Sequence, residues 1–250
     1  MKKEDFIFGT RAVHEAVNAH RPIDKILFRK GIDNELFHSL YEQIKKEEIP
    51  FQFVPLEKIN RITRKNHQGV LAMLSPVEFQ KIEDVLPMVY EKGKTPLLLI
   101  LDQVSDVRNF GAIIRSAECA GVDAVVVPYR GSARISGDAV KTSAGALFNV
   151  PVCRTDNLNS SIDFLKESGL KIVAASEKTE SLYTAVDMAL PLAIVMGSEE
   201  KGISPSILRV CDELVKIPVL GEIESLNVSV ACSIMVYEAV RQRGLTGLQG

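Results

Sequence analysis

The chain has 250 residues, 46% hydrophobic and 25% charged, with a formal net charge of −2. That is the composition of one large or two modest globular domains, and no apolar run approaches the roughly 20 residues that cross a bilayer. The longest, residues 96–101, has the length of a buried strand, and the first residues lack the apolar core of a signal peptide; no membrane partner and a cytoplasmic location are expected. The small negative total speaks weakly against a polyanionic partner, although such affinity depends on a local basic patch. Residues 1–80 carry 13 Lys and Arg against 11 Asp and Glu, whereas residues 81–250 carry 17 against 21. Cys119, Cys153, Cys211 and Cys232 are scattered, with no C-x-x-C and no zinc-ligand spacing. All four are expected to be small buried hydrophobes, with neither metal nor disulfide.

In chain order, Thr10 is placed to cap a helix over 10–18, with Val13 and Val17 on one face. A strand is predicted over 25–28, a helix over 34–47, a strand over 51–54, a short helix over 56–62 and a strand over 69–74. This alternation implies a small three-layer α/β unit, stopped by Ser75-Pro76. Residues 77–95 read as a connector holding one helix over 82–90, and its polar, Gly- and Pro-punctuated end suits a domain boundary. Beyond it, strands are predicted over 97–102, 124–127, 171–175, 192–196 and 213–217. Helices are predicted over 109–120, 157–168, 204–210 and 227–243. Near-continuous apolar runs suit strands covered on both faces, so residues 96–250 read as a doubly wound α/β domain with a parallel sheet, preceded by the small unit over 1–76.

In such a sheet ligands bind beyond the carboxyl ends of the strands, and three polar segments lie there. In the first, Leu101-Asp-Gln-Val-Ser-Asp-Val-Arg-Asn-Phe-Gly-Ala-Ile-Ile-Arg115, Asn109 is placed to cap a helix and Arg115 sits among apolar residues. Its guanidinium must find an anion or several acceptors, and Glu118, Asp102 and Asp106 are ordinary partners within reach. In the second, Gly197-Ser-Glu-Glu-Lys-Gly202, glycines flank Glu199 and point to a structured role for it, while Glu200 and Lys201 read as solvated charges. In the third, Ser225, Asn227 and Ser229 lead into a helix with no charge from Val228 to Tyr237, which is expected to be buried nearly all round. Three polar side chains there exceed the needs of capping and point to ligand contact. No G-x-G-x-x-G, P-loop or G-x-S-x-G motif occurs, which weakens the common nucleotide-binding and hydrolase readings.

Together the three segments resemble the SpoU (TrmH-type) family of the SPOUT methyltransferases. Its first motif is similar to Asn109-Phe-Gly-Ala-Ile-Ile-Arg115, its second to Gly197-Ser-Glu-Glu-Lys-Gly202, and its third to Ile217-Pro-Val through Ser225-Leu-Asn-Val-Ser-Val-Ala231. The N-terminal part resembles the family's L30e-like substrate-binding domain, including Gly9–His14 and His67–Ala72. Val107 and Phe110 depart from a usual proline and leucine. The resemblance implies an S-adenosyl-L-methionine-dependent RNA ribose 2′-O-methyltransferase with a deep trefoil knot, acting as a homodimer through the knotted domain. It is closest to members that methylate a guanosine in large-subunit (23S) rRNA; a tRNA methyltransferase, or a non-catalytic RNA-binding protein of the same fold, are the alternatives.

The resemblance further implies catalytic or orienting roles for Asn109, Arg115, Glu199, Ser225 and Asn227. It implies cofactor contacts from Ala144, Gly145, Gly197, Ile217 and Leu226, largely through backbone. Arginine is effectively always protonated, so Arg115 is read as holding an RNA phosphate beside the attacking hydroxyl rather than as a base. Arg108 is a further candidate phosphate contact. In the small domain Arg11, Arg29, Arg61, Arg64 and Lys65 are candidates for contacts to the RNA backbone. His14, His20 and His38 read as structural or exposed, and His67 as a minor site candidate.

Overall fold

The computed structural model describes residues 6–244, which form two compact units dividing between Glu78 and Phe79, with Ile135–Gly137 grouped in the smaller. In the smaller unit the order is β1 (Phe6–Phe8), α1 (Thr10–Asn18), β2 (Ile23–Arg29), α2 (Glu35–Lys46), β3 (Phe51–Val54), α3 (Leu56–Asn60) and β4 (Val70–Leu74). The sheet order is β1-β4-β2-β3, antiparallel except where β2 meets β3. Strand alternation makes the three layers. Ile26 and Phe28 pack with Val13, Val17, Phe37, Leu40 and Ile44 of α1 and α2, whereas Leu27, Val54 and Leu71 pack with Ile59 of α3. Thr10 is not the cap of α1. Gly9 occupies that position, Thr10 is buried, and the Thr10 N–H donates to Gln68 Oε1 at 3.4 Å.

The larger unit contains β5 (Phe79–Gln80), α4 (Ile82–Glu91), β6 (Leu97–Asp102), α5 (Val107–Cys119), β7 (Ala124–Pro128), α6 (Gly137–Thr142), β8 (Val152–Thr155), α7 (Leu158–Glu167), β9 (Lys171–Ala175), β10 (Leu192–Gly197), α8 (Pro205–Leu208), β11 (Glu213–Val215) and α9 (Val228–Gln242). Its seven strands run in the order β11-β9-β10-β6-β7-β8-β5, and every adjacent pair is parallel. The stretch expected as a connector is built into this unit. Phe79–Gln80 extends the sheet beside β8, and Ile82, Val85, Leu86 and Val89 of α4 join Leu98, Ile100, Ala124 and Val126 in one core. Strand β8, which the sequence pattern does not reveal, carries the buried Arg154, whose guanidinium lies 3.6 Å from the Phe79 ring centroid. A charged residue held in that way removes the apolar run by which a covered strand is recognised.

Two further expectations change. Cys119 is exposed, whereas Cys153 and Cys232 are buried and Cys211 is half-buried; burial pushes those three thiols up to about 12. Helix α9 is not enclosed: Val230 and Tyr237 are each 48% exposed, so its uncharged surface includes a solvent-facing apolar stripe. Its carboxyl end is fixed by Arg243, which donates to the carbonyls of Thr95 and Pro96 at 2.8 Å, Leu190 at 2.7 Å and Met188 at 3.4 Å. These carbonyls precede β6 and β10, so one guanidinium ties the last helix to the amino ends of the two central strands. Replacing Arg243 by Ala leaves several carbonyls short of a donor, and we expect urea unfolding to show a loss of about 2–4 kcal/mol. An unchanged midpoint would refute that role.

Candidate active site

Parallel register aligns Gly197 at the end of β10 with Asp102 at the end of β6. Loops therefore leave the two central strands side by side, and they are stitched together at once. Asp102 is buried and accepts from the Ser204 N–H at 2.6 Å, while Gln103 Nε2 donates to Ser204 Oγ at 2.9 Å. The loop after β10 doubles back through paired bonds between Ser198 and Gly202, at 3.2 and 2.9 Å. A Cβ at Gly197 would collide with the backbone of Gly202 and Ile203, so this close return requires glycine. Glu199, Glu200 and Lys201 in this loop are all exposed, and of the three side chains only that of Glu199 makes a tertiary contact among the described residues.

The first segment enters α5 one turn earlier than expected. Asp106, not Asn109, is the cap: its Oδ1 accepts from Arg108 N at 2.8 Å and Asn109 N at 3.0 Å. The Asn109 N–H in particular holds the Asp106 carboxyl below the usual carboxylate range. Val107 occupies the first helical position, where proline is also tolerated, so this departure leaves the helix start intact. Gly111 lies against α6, where a Cβ would strike the Thr142 side chain. Because Asn109 is free of capping, its side chain is available for tertiary contact.

That contact is with Asn227, the cap of α9. Asn227 Nδ2 donates to Asn109 Oδ1 at 3.0 Å and to Glu199 Oε1, which also accepts from the Val228 N–H at 3.2 Å. All three polar segments thus meet in one hydrogen-bonded group. Glu199 holds the entrance of α9 and not Arg115. Arg115 is exposed, and among the described residues no hydrogen bond or ion pair engages it. The ordinary partners are otherwise occupied: Glu118 accepts from Asn149, Asp106 caps α5 and pairs with Arg108, and Asp102 binds Ser204. Arg108 is exposed one helical repeat before Arg115, on the same side of α5. Ser225 is exposed and makes no hydrogen bond among the described residues.

The residues expected to grip a cofactor lie at or after the carboxyl ends of parallel strands. Ala144 and Gly145, between β7 and β8, both have positive φ, 52° and 88°. Ile217 and Leu226 bound the segment between β11 and α9. Among the described residues, no backbone group from Ile217 through Leu226 takes part in a hydrogen bond. A ribbon of uncommitted amides and carbonyls, with the apolar side chains of Ile217 and Leu226, fits a ligand held mainly by main chain. Sequence reasoning misses three residues that hold these elements together: Ser116 and Ser233, whose hydroxyls lie 2.8 Å apart between α5 and α9, and Asp102, which holds the return of the β10 loop. A terminal Asp on an otherwise wholly apolar strand is the available signal for the last.

In the smaller unit Arg11, Arg29, Arg61, Arg64 and Lys65 are all exposed or partly so at their side chains, and each lies at the surface. The Arg29 N–H donates to Gly69 O at 2.8 Å and Gln68 reaches Thr10, so the end of β2, the start of α1 and the loop before β4 lie together. His67 is structural: Nδ1 accepts from Gly69 N at 3.0 Å, which leaves the Nε2 proton to Asn60 Oδ1 at 2.9 Å. Burial, and then the Arg29 guanidinium, hold its imidazole below the usual histidine range. His20 and His38 are exposed and His14 is half-buried.

Models of two families match this chain: the SpoU rRNA methylase family over residues 96–237, and the RNA 2′-O ribose methyltransferase substrate-binding domain over residues 6–80. The chain belongs to the SpoU RNA methyltransferase family. Members of that family are S-adenosylmethionine-dependent RNA 2′-O-methyltransferases, and this chain is such an enzyme. A Staphylococcus aureus protein named for the TrmH family of tRNA/rRNA methyltransferases is 37% identical over 241 residues, covering 96% of this chain and 97% of its own. The crystal structure of an RNA 2′-O ribose methyltransferase is 25% identical, with a TM-score of 0.56 over 95% of this chain and 88% of that one. An AdoMet-bound rRNA methyltransferase from Sinorhizobium meliloti shares the fold, with a TM-score of 0.61 and 24% identity over 95% of this chain and 87% of that one. An A. aeolicus TrmH/SpoU tRNA modifying enzyme is 32% identical with a TM-score of 0.56, and covers 66% of this chain and 85% of its own.

Proposed function

We propose that this enzyme methylates the ribose 2′-hydroxyl of a guanosine in 23S rRNA, with Asn109, Arg115, Glu199, Ser225 and Asn227 around the reacting centre. The observation that carries the site is the joining of all three motif segments through Asn227, whose partner Asn109 lies on the same helix α5 that carries an exposed and unengaged Arg115. The rRNA target is favoured by coverage. The tRNA-modifying structural relatives match 66% and 61% of this chain, whereas the rRNA methyltransferase from S. meliloti matches 95%. The surface cations Arg11, Arg29, Arg61, Arg64 and Lys65 of the smaller unit would hold backbone phosphates of structured RNA.

S-adenosylmethionine supplies the methyl group on a sulfonium centre. Ala144, Gly145, Gly197, Ile217 and Leu226 would hold it, through the available main chain described above. A neutral 2′-hydroxyl is a weak nucleophile, so positioning contributes much of the rate. Arg115, permanently charged and unpaired among the described residues, is suited to fix the adjacent phosphate, with Arg108 as a second contact. Asn109 and Ser225 would orient ribose or phosphate oxygens, and Glu199 and Asn227 hold Asn109 in place. The knotted chain path and a homodimer belong to the same reading. The dimer is supported by exposed Val230, Tyr237, Phe148, Leu220 and Ile223, apolar surface that a second copy would cover.

Mapping 2′-O-methyl groups in rRNA and tRNA from cells with and without the gene tests the target. Loss of one guanosine methylation in 23S rRNA is expected; loss confined to tRNA would overturn the assignment. For Arg115→Lys, we expect weaker RNA binding and no new ionisation in the pH–rate profile. A limb that follows the lysine pKa, about 10.4 when unperturbed, would instead establish a base at this position.

A further inference from the structure

The side chain of Asn227 has four hydrogen-bonding positions, and all four are used. Its two N–H groups go to Asn109 Oδ1 and Glu199 Oε1. Its Oδ1 accepts twice from one residue, Ser229, from the backbone N–H at 3.0 Å and from Oγ at 2.6 Å. Turning the amide over would set its NH2 against both Ser229 donors. It would also set its oxygen against the Glu199 carboxylate and Asn109 Oδ1. Ser229 is in turn held in a seam between α5 and α9, where Ser233 Oγ lies 2.8 Å from both Ser229 O and Ser116 Oγ.

The orientation of Asn227 determines that of Asn109. Because Asn109 Oδ1 accepts from Asn227, its Nδ2 is directed away, and no acceptor within the chain engages it among the described residues. Half-buried Asn109 therefore offers an N–H donor, the group that suits a phosphate or ribose oxygen. With Asn227 reversed, Asn109 would have to present its oxygen, which repels a phosphate. We propose that Ser229 is a positioning residue that sets, through Asn227, which atom of Asn109 faces the RNA. This rests on the reading that Asn109 and Asn227 belong to the methyl-transfer site.

The test compares Ser229→Ala and Ser229→Thr, each alone and with Asn109→Ala, in single-turnover methyl transfer to RNA with S-adenosylmethionine affinity measured alongside. Loss of one hydroxyl donor should lower the single-turnover rate constant about tenfold, with cofactor affinity unchanged. Ser229→Thr, which keeps the hydroxyl, should restore the rate. In the Asn109→Ala background, Ser229→Ala should change the rate by less than about twofold, because its route to the substrate is already gone. A full Ser229→Ala effect in that background, or failure of threonine to rescue, would overturn the proposal alone. An Asn109→Ala enzyme of unchanged rate would overturn the placement of the site and the proposal with it.

Discussion

One side-chain amide carries the arrangement of this site. Asn227 sits where the last helix begins, and its NH2 reaches both the helix after β6 and the loop after β10. Those elements start more than 80 residues apart in sequence, and parallel register alone aligns only their strands. Backbone strand pairing sets the loops within ångströms of one another, and the amide then fixes which side chains meet. An asparagine suits this position because it donates and accepts at once, so it can cap a helix with its oxygen while bridging two acceptors with its nitrogen.

The same logic separates holding from binding. Glu199 is spent on the entrance of α9, and Asp102 on the return of the β10 loop, so neither carboxylate faces the open cation of Arg115. An exposed arginine left unneutralised is an electrostatic feature for an incoming anion, and RNA supplies one at every nucleotide. Backbone in the segment from Ile217 to Leu226 is likewise unspent. On the proposed assignment, side-chain chemistry would serve the RNA end of the reaction and main-chain chemistry the cofactor end.

Much of this is legible in the sequence because covered parallel strands write themselves as apolar runs. The stretches 97–102 and 171–175 are delimited to the residue by their pattern, and the three polar segments stand out at strand ends from residue order alone. What stays hidden has physical reasons. Arg154 conceals β8, since its charge is offset by an aromatic face from a strand that is itself only two residues long. Asp106 displaces Asn109 as cap because both are good cap residues three positions apart, and sequence does not rank them. The absence of charge in α9 suggests enclosure, but an exposed stripe at Val230 and Tyr237 gives the same composition. The role of Ser229 depends on the direction of one amide, which no spacing encodes.

Asn227 joins Asn109 and Glu199 into one hydrogen-bonded unit. A double-mutant cycle on single-turnover methyl transfer, with Asn109→Ala, Glu199→Ala and the pair, measures this directly. The double variant is expected to be little slower than the slower single one, since either change releases the same amide. Losses that multiply independently would show two separate contributions and contradict it.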